Sequence, residues 1–469
     1  MASQPLPLLS PHDVVRSGLC IGCGSCVAQS DQPDVSIDFN CYGHFEPFAP
    51  SSWMHQKSAS FSRTCPFSPT ALNEDELSAE LFPDIEYSNT HTGRFQAAYV
   101  GHVEEEAFRD RGSSGGMVSW VLEELLRRGL VDGVAHVASV DDPQNDGRFF
   151  RYRIARTVEE VRGGAKSRYY PVEMSGILEE IRQTPGRYAV VGVPCFIKAL
   201  QLLRREDTVV RERVAFTLGL FCGHMKSARL MESFAWQMDV DVEDIQRVEF
   251  RIKDPSRPAS TYTAQMTLRD GTEVRKDWWN LVDGDWGAGF FQNSACNFCD
   301  DVVGETADIS FGDAWVEPYS SDGRGTNVVI LRNRVLDSVV KEAIEAQRLK
   351  LEDVDAEFVH QTQAAGFRQR REGLSFRLYW RLAGRERLLV QPRKRVARRL
   401  HTIPKRRQLI YRMRAFITAW SHRVFWLARR MKRRELYTRW AKTSVELYHG
   451  LAYGRGKIGE WVERMGLRS

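Results

Sequence analysis

The feature that most constrains this chain is a cysteine triplet, Cys20, Cys23 and Cys26 in the run LCIGCGSC, with a distant Cys65 followed at once by Pro66. Three thiolates at this spacing can wrap one face of a cubane, and Gly22 and Gly24 let the backbone come close to it. A remote Cys-Pro then closes the fourth corner, as in bacterial ferredoxins, here with a long insertion before the last cysteine. The sequence holds one such triplet, so Cys65 most simply completes the same site. A structural zinc site is the rival, but zinc usually takes paired C-x2-C knuckles rather than a triplet. Residues 1–75 are therefore expected to form a ferredoxin-like [4Fe–4S] module.

The other cysteines are Cys41, Cys195, Cys222, Cys296 and Cys299, which makes nine in all. A reducing compartment keeps thiols free unless they bind metal or do chemistry, and an odd count fits poorly with complete pairing. At 469 residues, 42% hydrophobic and 27% charged, the chain has length for about three domains. That composition excludes disordered, collagen-like and small disulfide-stapled classes. It contains no uninterrupted apolar run of about 18 residues, and MASQPLPLLSPHDVV lacks the basic start and apolar core of a secretory signal. The expected location is the cytoplasm.

RYAVVGV (187–193) is a short apolar run after which Cys195 opens the helical pattern FIKALQLLRR, and VAFTLGLF (214–221) is a second run ending at Cys222. Both read as buried parallel strands, with each cysteine at a carboxyl end, the edge where open α/β sheets bind ligands. With the C-x2-C pair Cys296 and Cys299 they make four thiolates, enough for a second cluster. Two rivals stand beside that reading: Cys195 and Cys222 as ordinary core thiols, or Cys195 as a nucleophile activated by a helix N-terminus. Cys41 fits neither quartet.

Residues 76–95 read as linker. AAYVGHV, MVSWVLEELLRRG and VDGVAHVASV then give a strand–helix–strand unit. The loop Ser113-Ser114-Gly115-Gly116 before that helix offers free backbone N–H groups and the positive helix end to a phosphate, although a plain capping loop looks the same. GGAKSRYYPV (163–172) brings Lys166, Ser167, Arg168 and Tyr169 beside glycines, which suits an anionic aromatic ligand or a surface loop. Residues 244–275 alternate apolar and polar positions around Asp270-Gly271 and read as an antiparallel pair. Asp308 and Asp313 flank a further strand as turn-and-cap residues or as orienters of a bound group. His224, beside Cys222, is a candidate proton donor, although a lone histidine is more often structural. No catalytic residue is assigned.

In order, CIGCGSC…CP, GSSGGMVSWVLEELLRRGLVDGV, KSRYYPV, VVGVPCFIKALQLL, LFCGH, CNFCDD and ADISFGD resemble the beta-subunit family of coenzyme F(420) hydrogenases and dehydrogenases. That family also includes plant and cyanobacterial hydroxymethyl-chlorophyll and divinyl reductases. The resemblance covers roughly residues 15–335. It implies an FAD flavoprotein with two [4Fe–4S] clusters, the second held by Cys195, Cys222, Cys296 and Cys299. It also maps Gly115, Gly116, Lys166, Ser167 and Arg168 onto FAD-contacting segments. The family's VGTPCQ stands here as VGVPCF, so Val193 and Phe196 depart from it. The expected fold is a mixed α/β flavoprotein core, with residues 96–170 binding FAD and 171–350 carrying the second cluster.

The net charge of +5 conceals an asymmetry: residues 368–469 hold 29 Lys and Arg against 6 Asp and Glu, leaving −18 on residues 1–367. The tail mixes arginines with Trp, Tyr, Phe and Leu at helical intervals, broken at Pro392 and Pro404. Such a basic helical extension suits an anionic membrane surface, an acidic protein face or its own acidic body. No nucleic-acid-binding module accompanies the charge. The expected activity is an oxidoreductase that passes electrons between a ferredoxin-like donor and a small organic acceptor. The alternative is an electron-transfer subunit without its own substrate.

Overall fold

The structure, a computed structural model, describes residues 8–383, 396 and 402–466. The expected helix break at Pro392 lies outside these residues. An eight-stranded mixed sheet organises the chain, with spatial order Leu349–Asp353, Ala97–Val103, Asn327–Leu331, Ile309–Asp313, Val214–Leu220, Tyr188–Gly192, Gly133–Ser139 and Phe150–Ala155. The four strands from Ile309–Asp313 to Gly133–Ser139 are parallel. The outer pairings are antiparallel. Tyr188–Gly192 is buried at every position, which is why its sequence is a continuous apolar run rather than an alternating one.

The strands Ala97–Val103 and Gly133–Ser139 point the same way but have four other strands between them. The strand–helix–strand unit is thus a wide crossover rather than a neighbouring pair. Its helix, Met117–Arg127, buries Met117, Trp120, Val121 and Leu125 against Val134, Leu218 and Val329 of the sheet. The expected antiparallel pair is a three-stranded sheet, Ile245–Ile252, Thr263–Leu268 and Glu273–Asp277. Asp270-Gly271 turns between the last two, and the 254–261 loop splits what reads as one long strand.

The helix Glu74–Leu81 runs into the stretch expected as linker. Asn73 accepts from the amides of Asp75 and Glu76, and the Glu76 carboxylate returns to the Asn73 amide. The N-terminal segment is not a free-standing module. Leu9, Val14, Leu19, Ile21 and Phe67 share one apolar core with Ile177, Leu178, Leu200 and Leu203. The basic tail forms the helices Lys405–Arg430, Arg434–Tyr453 and Gly456–Arg464. Ile417, Phe425, Tyr437 and Tyr448 from this tail join the largest core, with Phe234, Phe250 and Trp278. Among the described residues no helix is long and apolar enough to cross a membrane.

Candidate functional site

Cys20, Cys23, Cys26 and Cys65 line one cavity, together with Leu19, Ile21, Gly22, Gly24, Pro66 and Phe67. Two glycines make the turn possible. Gly22 (φ +66°) would place a Cβ 2.6 Å from the Phe45 carbonyl, and Gly24 (φ +80°) one 2.8 Å from the Ser175 amide. The Met174 amide donates to the Cys23 carbonyl at 2.9 Å, and Cys65 caps the helix Ala59–Thr64. Burial pushes the thiols of Cys20, Cys23 and Cys65 up to about 12 and that of Cys26 well above its ordinary value, and neighbouring sulfurs add to this by mutual repulsion.

The second quartet also converges. Cys195 sits in the first turn of the helix Pro194–Glu206, Cys222 just past the strand Val214–Leu220, and Cys296 and Cys299 at the turn Ser294–Phe298. All four line a second cavity with Ile21, Phe67, Pro194, Met225 and Arg370. The Met225 amide donates to Cys296 Sγ at 3.3 Å, and the Cys222 amide donates to the Val302 carbonyl at 2.9 Å. Burial raises these thiols too, those of Cys222 and Cys299 to about 12, while Arg370 opposes the rise at all four. Ile21 and Phe67 stand in the walls of both cavities. Asn293 Nδ2 donates to the Cys20 carbonyl at 3.2 Å and Ser294 Oγ donates to the Gly18 carbonyl, so the second cysteine loop is tied to the first.

These residues fit a polynuclear cluster. Each set presents four cysteine sulfurs around a void, and the second also has the Met225 thioether in its wall. Among the described residues no group of three or more His, Cys, Asp or Glu is arranged to hold a metal ion. A buried quartet of thiolates also needs bound positive charge to offset its desolvation. Cys41 is exposed and belongs to neither set.

The two loops singled out for a flavin meet. The Ser167 amide donates to Ser113 Oγ at 2.8 Å, and Ser114 Oγ donates to the Thr326 carbonyl at 2.9 Å. A Cβ on Gly115 would lie 2.8 Å from Asn327 Oδ1, and Gly116 (φ +88°) caps the helix Met117–Arg127. Lys253 Nζ, not anticipated from sequence, donates to the Arg109 carbonyl and, at 2.8 Å, to that of Ser114. Burial, helped by Lys166, Arg251 and Arg109, lowers Lys253 to about 7. The three guanidinium nitrogens of Arg168 are covered yet have no hydrogen-bond partner, and its carbon lies 5.0 Å from the centroid of Phe150. Burial lowers Arg168 to about 10. Covered, unpaired donors beside a cationic loop fit the phosphate groups of a dinucleotide.

Tyr169 instead packs among aromatic rings, 4.9 Å from Trp286 and 5.4 Å from Trp278. Trp286 stacks on His224 at 4.3 Å, so an aromatic chain leads from the cationic loop to the turn after Cys222. His224 is buried, its Nε2 has no partner, and burial holds its pKa well below the ordinary value. Asp308 is structural: its carboxylate accepts from the Thr217 amide and hydroxyl at 2.8 and 2.7 Å, tying adjacent strands. Asp313 pairs with Arg251 at 2.9 Å.

Residues 98–179 match the N-terminal domain, and residues 186–357 the C-terminal domain, of the "Coenzyme F420 hydrogenase/dehydrogenase, beta subunit". The chain is 23% identical to an uncharacterized protein of Methanocaldococcus jannaschii over 71% of its own length and 89% of that protein. It is 24% identical to one of the subunits of the F(420)H(2) dehydrogenase of Methanosarcina mazei, over 51% of its own length and 63% of that protein. It is also 24% identical to the beta subunit of the F420-dependent formate dehydrogenase 1 of Methanococcus maripaludis, over 46% of its own length and 51% of that protein. On the strength of the two domain matches, the chain belongs to the coenzyme F420 hydrogenase/dehydrogenase beta-subunit family.

Proposed function

We propose that this member of an oxidoreductase family is an FAD-dependent iron–sulfur protein that exchanges electrons between a ferredoxin-like partner and a small organic acceptor. When bound, two [4Fe–4S] clusters supply one-electron carriers and FAD supplies the conversion between one- and two-electron chemistry. The supporting observation is that Ile21 and Phe67 form a wall common to both cysteine cavities. In this reading Cys20, Cys23, Cys26 and Cys65 hold the outer cluster, and Cys195, Cys222, Cys296 and Cys299 the inner one. Ser113, Ser114, Gly115, Gly116, Lys166, Ser167 and Arg168 bind the flavin. Tyr169, in its aromatic packing, supports the loop rather than touching phosphate. Ile21 and Phe67 exclude water between the quartets, and Asn293 and Ser294 fix their separation.

Burial keeps His224 a neutral ring, able to pass a proton but poor at holding one. The thiol-nucleophile alternative for Cys195 loses support, because its sulfur shares a cavity with three other cysteines and burial raises its thiol instead of lowering it. The M. mazei and M. maripaludis relatives are each named as one subunit of a dehydrogenase, which supports the second reading, an electron-transfer subunit that docks on a partner enzyme. The exposed Leu409, Phe416, Trp420 and Leu427 of the helix Lys405–Arg430 support peripheral contact with anionic lipid.

Anaerobic reconstitution followed by iron, sulfide and flavin analysis tests the assignment. The expected content is about eight irons per chain, four for each cubane, with one FAD. A colourless, zinc-containing protein overturns it. Turnover of an acceptor panel with dithionite, in the absence of any other subunit, separates the enzyme from the relay.

A further inference from the structure

Arg370 lies 13 residues beyond the family-matched region, at the end of the helix Ala364–Arg370, yet it lines the inner cysteine cavity. Only 3% of its surface is exposed. Nη2 donates to the carbonyls of Cys222 and Gly223, each at 2.9 Å, while Nε and Nη1 are buried without a hydrogen-bond partner. Burial works against the guanidinium charge, and the groups that hold it are the four sulfurs, Cys299 first. The following residues brace the same loop: Arg371 pairs with Asp300 at 3.0 Å, and Arg377 Nε donates to the Asn297 carbonyl at 2.7 Å. Among the described residues no cationic side chain lines the outer cavity; Lys198, which lowers the Cys65 thiol from nearby, is paired with Glu74 at 3.4 Å.

We propose that Arg370 is the charge-compensating residue of the inner cysteine site and makes that site the preferred electron acceptor of the two. The inference rests on the reading that Cys195, Cys222, Cys296 and Cys299 hold a cluster. One-electron reduction adds one negative charge to a cluster-and-thiolate unit, and no proton need move. A fixed guanidinium in the same low-dielectric cavity stabilises the reduced form more than the oxidised form. Arg370 remains protonated throughout, and the electron comes from an external one-electron donor. Electrons entering at the outer quartet therefore run downhill to the inner one. Arg370 acts through charge and position rather than as a catalytic residue.

The test is an EPR-monitored titration with dithionite and redox mediators on the full chain, reconstituted anaerobically, as wild type, Arg370→Gln and Arg370→Lys. The expected result for Arg370→Gln is full iron content and an inner-site reduction constant at least tenfold smaller, a midpoint lowered by 59 mV or more for one electron. The outer midpoint should not move, and Arg370→Lys should stay near wild type. Unchanged midpoints in an iron-replete Arg370→Gln protein overturn the proposal. If Arg370→Gln fails to load the inner site, Arg370→Lys decides: a wild-type midpoint supports the proposal, while a tenfold loss despite the retained charge overturns it. Failure of both variants to load also overturns it, because Arg370 is then needed for assembly instead of potential. If the wild-type protein holds only about four irons and Cys296→Ser leaves that content unchanged, the inner cluster itself is refuted, an outcome visible before any Arg370 variant is made.

Discussion

Among the described residues, Arg168 has the most buried side-chain nitrogens without a hydrogen-bond partner. All three of its guanidinium nitrogens are covered and unpartnered, and a buried unpaired cation destabilises the chain that carries it. Two effects of Arg168→Met therefore have opposite signs. The flavin-free protein should be as stable as wild type or more so, because no protein hydrogen bond is lost. FAD affinity should fall, since hydrogen bonds to charged groups contribute about 1.5–3 kcal/mol, roughly a 10- to 150-fold change in binding. Melting temperature without flavin and fluorescence titration with FAD measure the two. A drop in stability with unchanged affinity would identify Arg168 as a packing residue. Such detail is only partly legible in sequence. Lys166, Ser167 and Arg168 stand out because charge sits beside glycines, and the cysteines because their spacing matches a cluster. Arg370 does not stand out: it is one of 29 basic residues in the final segment, and only its buried helix end separates it from the rest.

Secondary-structure elements carry the pH dependence. His136, on the strand Gly133–Ser139, and His422, on the helix Lys405–Arg430, are each held at about 4, burial being the largest cause. His422 Nδ1 lies 2.9 Å from the Thr418 carbonyl, and its Nε2 3.0 Å from Nε2 of His44 in the N-terminal segment. Folded, both rings stay neutral until about pH 4; unfolded, they titrate near 6.5. The unfolded state thus binds more protons between these values, and stability falls as pH drops from 6.5 to 4. The loss is of the order of 3 kcal/mol for each imidazole. Urea midpoints at pH 7, 6, 5 and 4.5 should show this decline, and His422→Asn should flatten it; an identical profile in the variant would refute the assignment. Elements with a strong pattern were legible. The buried runs at 188–192 and 214–220 admit little but parallel strands. Glu74–Leu81 was not, because its signal is a polar capping box and a weak apolar face. The crossing between Ala97–Val103 and Gly133–Ser139 was beyond local pattern, since strand order is set by chain segments far away in sequence.

For the whole molecule, the separation of charge is explained in part by the tail folding onto its own body. Arg429 pairs with Glu232 and Arg434 with Asp239, each at 3.3 Å, while Ile417 and Phe425 enter the core. That uses one face of the helix Lys405–Arg430. The other exposes Leu409, Phe416, Trp420, Trp426 and Leu427 at helical intervals, with Arg412 over Trp380, Arg423 over Trp420 and Arg430 over Trp426. Indole rings flanked by guanidinium groups suit the headgroup layer of an anionic bilayer, where each basic side chain contributes about 1 kcal/mol. The chain should pellet with phosphatidylglycerol vesicles and remain in the supernatant with phosphatidylcholine. Replacing Arg412, Arg423 and Arg430 together by Gln should weaken vesicle binding by roughly a hundredfold, three such contributions combined. High salt should mimic that loss through screening, whereas Trp420→Ala should weaken binding at every ionic strength. Equal binding to both lipids, or anionic binding untouched by the triple replacement, would mean that this face meets something other than charged lipid.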